Sequence, residues 1–262
     1  MMRALFTAAT GMTAQQTRLD AISNNLANVS TTGFKRSRAE FQDLFYETLK
    51  APGATSASGT TLPSGIQIGS GVRLATIGRQ FKQGDAQRTD GELDLMIQGD
   101  GFFQIEKPDG ETLYTRDGSF QRDRDGNVVT SDGFRLVPNI QISPDAIQVT
   151  VLRDGTVSVL EAGNPTPVDA GQIELARFSN PGGLFALGSN FFQPTDSSGD
   201  AQTGVPDEDG YGSLAQGFLE SSNVNVAEEL VNMILAQRAF ELNSRVIQAG
   251  DEMLQVVGSL YR

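Results

Sequence analysis

Apolar residues recur at heptad spacing at both ends of this chain, and the text between them is short apolar runs and turns. Near the N-terminus Leu5, Met12, Leu19 and Leu26 stand seven apart, with Ala8, Gln15, Ile22 and Val29 three places on. Near the C-terminus Leu235, Ala239, Leu242, Val246, Ala249, Met253, Val256 and Leu260 alternate steps of four and three. That spacing lays one stripe of side chains along each helix, the pattern of coiled-coil packing. A second apolar line on the C-terminal helix (Val226, Leu230, Met233, Phe240, Ile247, Leu254) runs beside the first. A helix apolar on two adjacent sides needs neighbours on both, and one N-terminal helix cannot supply them. The expected class is α+β, with long coiled-coil-type helices flanking an antiparallel all-β centre. That plan is unusual for an enzyme and natural for a polymer subunit.

The first helix is expected from Met2 or Arg3 to about Val29, roughly 42 Å at ~1.5 Å per residue, with Gly33 as a stop signal beyond it. Asn24, Asn25 and Asn28 crowd its last two turns, which helix propensity alone does not select. Two roles are open to them: fraying the helix end, or bonding a neighbouring subunit's backbone. The last helix has Asn225 at its N-cap and Glu228 three residues later, a capping-box pattern.

Between the helices, Asp-Gly recurs at 90–91, 100–101, 109–110, 117–118, 125–126, 132–133 and 154–155. Asp-Gly supplies the positive φ angles of tight hairpins, so several of these are expected to connect strands. Strand candidates are Leu93–Gln98, Phe102–Glu106, Val128–Thr130, Ile147–Leu152, Val157–Leu160 and Ile173–Arg177, a spacing that fits an antiparallel barrel or sandwich. Residues 51–71 are rich in Gly, Ser, Thr and Pro, the composition of a linker or extended arm. Leu62, Pro63, Ile66 and Ile68 within it give such an arm something to order against. The expected division is 1–35 with 222–262 as a terminal helical assembly domain, 36–75 as arm, and 76–221 as a β-rich outer domain.

Cysteine, histidine and tryptophan are absent. No disulfide framework or cysteine metal site is possible, and the usual general base and commonest metal ligand are missing. A formal net charge of −12 argues against a nucleic-acid partner, which needs clustered Lys and Arg. Residues 1–38 are nevertheless net +4, and the segment from Leu219 onward is net −3. Opposite signs favour a meeting of the two ends, weakly, since exposed ion pairs contribute about 0–1 kcal/mol each. The N-terminus lacks the continuous apolar run of a signal peptide, and no window approaches the ~20 apolar residues of a membrane span, so no membrane insertion is expected. On general rules alone that suggests the cytoplasm.

The chemistry-bearing patterns are weak. Asp123, Asp125 and Asn127 open like a calcium loop, but the glycine, at 126, stands too early and Phe134 occupies the twelfth position, where a bidentate Glu belongs. Asp117 and Asp132 could pair as acid and base, yet Asp at a turn is the ordinary expectation. No catalytic residue, cofactor or metal site is expected.

The runs Gln15–Asp20, Ser23–Asn28 and Ser30–Lys35 resemble the N-terminal motif of bacterial flagellar rod and hook proteins. Ser222–Ile234 and Gln237–Ser244 are similar to its C-terminal partner, and Gln98–Phe103 with Tyr114–Phe120 to the family's central β-domain. The resemblance extends over essentially the whole chain and is to the flagellar basal-body rod proteins, most nearly the distal rod members, whose arm segment Thr60–Gly65 resembles. The extra Met in Met1-Met2-Arg3-Ala4 departs from the pattern and leaves the register of the first residues open.

The resemblance implies a structural subunit of a rigid hollow shaft that transmits torque from motor to hook and lets exported subunits pass. It also implies type III export without a cleaved signal and assembly in the periplasm, which overturns the cytoplasmic expectation. Implied partners are further copies of the chain, proximal rod and hook subunits, the P- and L-ring proteins, and rod-capping and export proteins. The expected self-assembly residues are Leu5, Met12, Leu19, Ile22, Leu26, Val29, Leu230, Met233, Leu235, Phe240, Leu242, Val246, Ile247, Met253 and Leu254. Alternatives are a proximal rod or hook subunit, or a periplasmic β-protein that binds carbohydrate or metal or hydrolyses with paired Asp.

Overall fold

The computed structural model describes residues 2–53, 64–163 and 166–260. Its order is helix α1 (Met2–Ala27), a run of strands, and helix α2 (Val226–Leu260). Two compact units form. The helical unit comprises Met1–Leu26, Ser37–Gly78 and Asn225–Arg262, and the β unit comprises Ala27–Arg36 and Arg79–Val224.

In the helical unit a two-stranded ribbon accompanies the helices. Strand β1 (Ser37–Asp43) pairs with β4 (Val72–Arg79), and β2 (Tyr46–Lys50) with β3 (Ile66–Gly69). The pairs join into one ribbon, because Leu44 N–H donates to Gly71 O at 2.9 Å and Ser70 N–H to Phe45 O at 3.2 Å. Much of the segment read as an arm is therefore regular strand, its carbonyls and amides satisfied across the ribbon. Leu62 and Pro63 lie outside the described residues. Helix α1 ends at Ala27, so Val29 stands in the turn beyond it and belongs to the β unit.

The β unit is built on short antiparallel strands. These are β5 (Ala86–Arg88), β6 (Leu95–Gln98), β7 (Phe102–Glu106), β8 (Thr112–Thr115), β9 (Gln121–Arg122), β10 (Val128–Val129) and β11 (Arg135–Val137). They are followed by β12 (Ala146–Val151), β13 (Thr156–Glu161), β14 (Val168–Gln172), β15 (Leu175–Arg177) and β16 (Phe185–Gly188). The last are β17 (Phe191–Gln193), β18 (Gln202–Gly204), β19 (Ser213–Gln216) and β20 (Phe218–Glu220). A nine-stranded sheet runs β16-β17-β8-β7-β11-β10-β9, with β15 on β7 and β18 on β15. Beside it stand the three-stranded sheet β12-β13-β14 and the pairs β6–β19 and β5–β20. Phe103, Ile105, Leu113, Leu136, Ile140 and Leu175 are buried in its core.

Asp-Gly makes the turns where the antiparallel order demands them: 109–110 between β7 and β8, 125–126 between β9 and β10, 132–133 between β10 and β11, and 154–155 between β12 and β13. Each of these glycines has φ between 80° and 84°, the left-handed region that costs glycine nothing. Asp117-Gly118 is different. Gly118 O accepts from Leu95 N–H at 3.0 Å, and a Cβ at Gly118 would collide with the Leu95 carbonyl. Close backbone approach selects that glycine, not a hairpin.

Candidate assembly site

Helices α1 and α2 run antiparallel within their unit. Along α1 from its end to its start, Asn25 meets Glu229, Arg18 meets Asn232, Gly11 meets Asn243 and Leu5 meets Gly250. On α2 the residues Glu229, Ala236, Asn243 and Gly250 stand seven apart, and Ala236 is fully buried. Small residues let the helix backbones come close: a Cβ on Gly250 would reach Leu5 Cδ2 at 2.5 Å, and one on Gly11 would reach Asn243 Nδ2 at 2.9 Å.

The ribbon lies along α1 as well. Asn25 Oδ1 accepts from Ser37 N–H and its Nδ2 donates to Ser37 O, both at 2.8 Å. Further along, Val72 N–H donates to Thr10 Oγ1 at 3.4 Å and Arg3 pairs with Glu47. The lengths agree. From Asn25 back to Arg3 a helix covers about 33 Å, and from Ser37 to Glu47 a strand covers about 33 Å.

The expected assembly residues divide into two groups. Leu5, Met12, Leu19 and Leu26 are partly buried and Ile22 is buried, all on α1. On α2, Met233, Phe240 and Ile247 are partly buried, each four residues beyond Glu229, Ala236 or Asn243. Leu230 and Leu254 are exposed at the edge of that line. The other stripe is turned to solvent: Leu235 is 57% exposed and Leu242 61%, with Val246, Met253 and Val256 also exposed. On the ribbon Ile66 and Ile68 are exposed, and Phe45 is 93% so.

Sequence reasoning missed a charge cluster inside the β unit. Lys35 and Glu220 are both almost wholly buried, with Lys35 Nζ 2.5 Å from Glu220 Oε1. Glu220 Oε1 also accepts from Gly84 N–H at 2.8 Å, and Lys35 Nζ donates to Lys82 O at 3.1 Å. Arg116, 4% exposed, holds Nη1 3.7 Å from Glu220 Oε2 and donates through Nη2 to Gly99 O at 2.7 Å. Burial pushes the Lys35 ammonium below its ordinary value against the opposing pull of Glu220, and it lowers Arg116 as well. No spacing rule joins positions 35, 116 and 220. The available signal was that Lys35 closes the N-terminal motif.

The Asp pair weighed as acid and base is otherwise engaged. Asp117 Oδ1 accepts from Thr32 Oγ1, Ser119 N–H and Ser119 Oγ at 2.8–3.0 Å. The cleft it shares with Asp132 measures about 30 Å³, too small for a substrate. Among the described residues no group of acidic side chains has the arrangement of a metal site, and no helix is long and apolar enough to cross a membrane.

Three family models match the chain: flagella basal body rod protein over residues 5–35, flagellar hook protein FlgE/F/G D1 domain over 96–159, and flagellar basal body rod FlgEFG protein C-terminal over 215–260. Each contributes one member of the buried cluster. The flagellar basal-body rod protein FlgG of Borreliella burgdorferi is 50% identical over 264 aligned positions, covering all of both chains. FlgG of Buchnera aphidicola subsp. Schizaphis graminum is 49% identical over 260, covering 99% of this chain and all of its own. The chain belongs to the flagellar basal-body rod protein family. The flagellar hook protein FlgE of Helicobacter mustelae is 43% identical over 135 residues, which are 51% of this chain and 30% of the hook protein. The rod resemblance thus spans the full length where the hook resemblance spans half. Members of the rod family are structural parts of the flagellum, and this chain is a rod structural subunit.

Proposed function

We propose that the chain is a distal-rod subunit whose helical unit polymerises into the inner layer of a straight, hollow shaft carrying torque from motor to hook. The observation that carries this reading is the outward stripe on α2. Leu235, Leu242, Val246, Met253 and Val256 are all exposed in the single subunit, although α1 and the ribbon already occupy other sides of the helix pair. Fully burying a side chain of this size contributes about 1.5–3 kcal/mol, so a neighbouring copy that covered the stripe would gain enough to order helices that are marginal alone. The seven-residue spacing of Glu229, Ala236, Asn243 and Gly250 on α2 supports coiled-coil-type packing for the same layer.

On this reading the Leu5, Met12, Leu19, Ile22 and Leu26 stripe and the Met233, Phe240, Ile247 line hold the subunit's own helices together, while the Leu235 stripe joins subunits. Proximal rod and hook subunits then bound the polymer at its ends, with ring, capping and export proteins around and within it. The full-length rod match supports the distal rod over a hook subunit. Negative-stain images of the purified chain test the reading: straight tubes are expected from the parent and none from Leu242→Asp. A parent that stays monomeric at millimolar concentration, even when seeded with rod fragments, would overturn it.

A further inference from the structure

The chain passes between its two units four times, and three of those passages are bound to one another inside the β unit. Residues 33–36 lead toward β1, residues 80–84 follow β4, and residues 220–223 lead toward α2. One side chain joins all three. Asn223 Oδ1 accepts from Arg36 N–H at 2.8 Å, and its Nδ2 donates to Gln80 O at 2.8 Å and Lys82 O at 2.9 Å. Backbone bonds run beside it: Gly33 N–H to Glu220 O, Gln80 N–H to Arg36 O and Ser221 N–H to Asp85 O, at 2.8–2.9 Å. Beneath lies the Lys35–Glu220 pair, with the Gly84 N–H on the same carboxylate oxygen.

We propose that Lys35, Glu220 and Asn223 form a clasp that gathers the passages to the helices and the ribbon in the free subunit, ahead of polymerisation. The chemistry suits alignment more than adhesion. A buried ion pair adds little net stability over an apolar replacement, but losing one partner strands the other. The observed alignment of the three segments gives Lys35, Gly84, Arg36, Gln80 and Lys82 their partners together. Asn223 is half-buried and lies outside the apolar core of the β unit, so its bonds can open without dissolving that core. The ends of α1 and α2 that meet, at Asn25 and Glu229, are those nearest the clasp in sequence. Short tethers from one fixed point keep the two helices at high effective concentration for each other. What the clasp serves rests on the polymer reading; that it forms does not.

Amide hydrogen exchange on the free full-length subunit tests it, comparing the parent with Asn223→Ala, Asn223→Asp and Glu220→Ala. In the parent the amides of Gly33, Arg36, Gln80 and Gly84 are expected to be protected. Asn223→Ala should speed exchange at Arg36 at least tenfold while leaving the amides of β7 and β8 unchanged. Asn223→Asp keeps the acceptor and loses the donors, so Arg36 should stay protected, a graded result that simple filling of space would not give. Glu220→Ala removes the acceptor and should speed Gly84 at least tenfold, and if that variant fails to fold, the Asn223 pair decides. Unprotected amides in the parent, an unchanged Arg36 in Asn223→Ala, or loss spread through β7 and β8 in Asn223→Ala would each overturn the clasp. Assembly is scored separately: a parent that shows this exchange pattern and never polymerises supports the clasp and removes the polymer reading alone.

Discussion

Asn25 donates through Nδ2 to Glu229 Oε2 at 3.3 Å, and both side chains are about 1% exposed. This contact ties the last turn of α1 to the first turn of α2. The same amide group closes a pair of bonds with the Ser37 backbone, where the ribbon begins. Asn25 is therefore the point at which both helices and the ribbon are joined within the helical unit. Its amide holds elements of its own chain together, so it does not fray the helix end.

Replacing Asn25 by Ala strands the Ser37 N–H and C=O and removes a donor from a buried carboxylate. Leaving buried polar groups unsatisfied costs about 1–3 kcal/mol each, so Asn25→Ala should destabilise the helical unit by about 2–3 kcal/mol. Urea unfolding of assembled rods, followed by far-ultraviolet circular dichroism, is the measurement. An unchanged midpoint would mean the contact is dispensable.

The helices are expected to gain order on assembly. The stripe from Leu235 to Val256 is exposed in the single chain, and long helices without tertiary cover are marginal in water. Circular dichroism of a dilute subunit should show less helix than the same chain in polymer. Full helix content at dilution would separate assembly from folding.

Leu242→Asp and Gly250→Val should fail in different ways. The first places a carboxylate on an exposed position, so it should leave the free subunit as stable as the parent and block polymer formation. The second brings a side chain against Leu5, within 2.5 Å of Cδ2 at its first carbon, and should weaken the α1–α2 pair itself by about 1–3 kcal/mol. Sedimentation and thermal melting of the two variants distinguish the surfaces. Identical behaviour would show that the two stripes are one.

What could be read from the sequence followed its periodicities. Heptads located both helices, Asn225 caps α2 through bonds to Ala227 and Glu228 N–H at 3.0 and 3.2 Å, and Asp-Gly placed the hairpins. Strands lacking a long apolar run, such as Gln121–Arg122 and Gln202–Gly204, carry no local signal because their pairing is decided by neighbours far along the chain. Residues 37–50 and 66–79 were hidden for another reason. Their alternation is masked by exposed apolar residues on a ribbon that packs on α1 along one side only. The Lys35–Glu220 pair was illegible because a lone lysine and a lone glutamate look like surface residues until the fold buries them.

Lys35→Met removes the cation and leaves Glu220 buried with Arg116 at 3.7 Å. Breaking a buried pair in this way costs about 3–5 kcal/mol, and the β unit should unfold at correspondingly lower denaturant. The pH dependence follows from the direction of the shift. Lys35 lies below 10.5 when folded, so between that lowered value and 10.5 the unfolded chain binds more protons and stability rises with pH. The stabilising effect is complete above 10.5 and is lost as pH falls through the folded value. Subtracting the profile of Lys35→Met from that of the parent should isolate this rising limb, and a flat difference would show that Lys35 titrates as it does in the unfolded chain.

The ribbon supplies the last test. Ile66 and Ile68 are exposed and alternate on β3, with Phe45 and Leu49 exposed on the facing segment. An apolar surface of this kind on a two-stranded ribbon is unusual unless something covers it, since a lone hairpin is marginal in water. Deleting Thr60–Gly65 should leave the β unit folded and alter the curvature, length or stability of the assembled filament. Straight and curved lattices can differ by small contacts between subunits, so a change of shape is expected more than loss of assembly. Ile66→Ser with Ile68→Ser separates two explanations, because it removes the apolar surface and keeps the chain length. If the serine pair reproduces the altered shape, the ribbon acts by covering a neighbour. If only the deletion does so, length is the operative property. Straight rods of normal length from both variants would reduce the ribbon to a passive spacer.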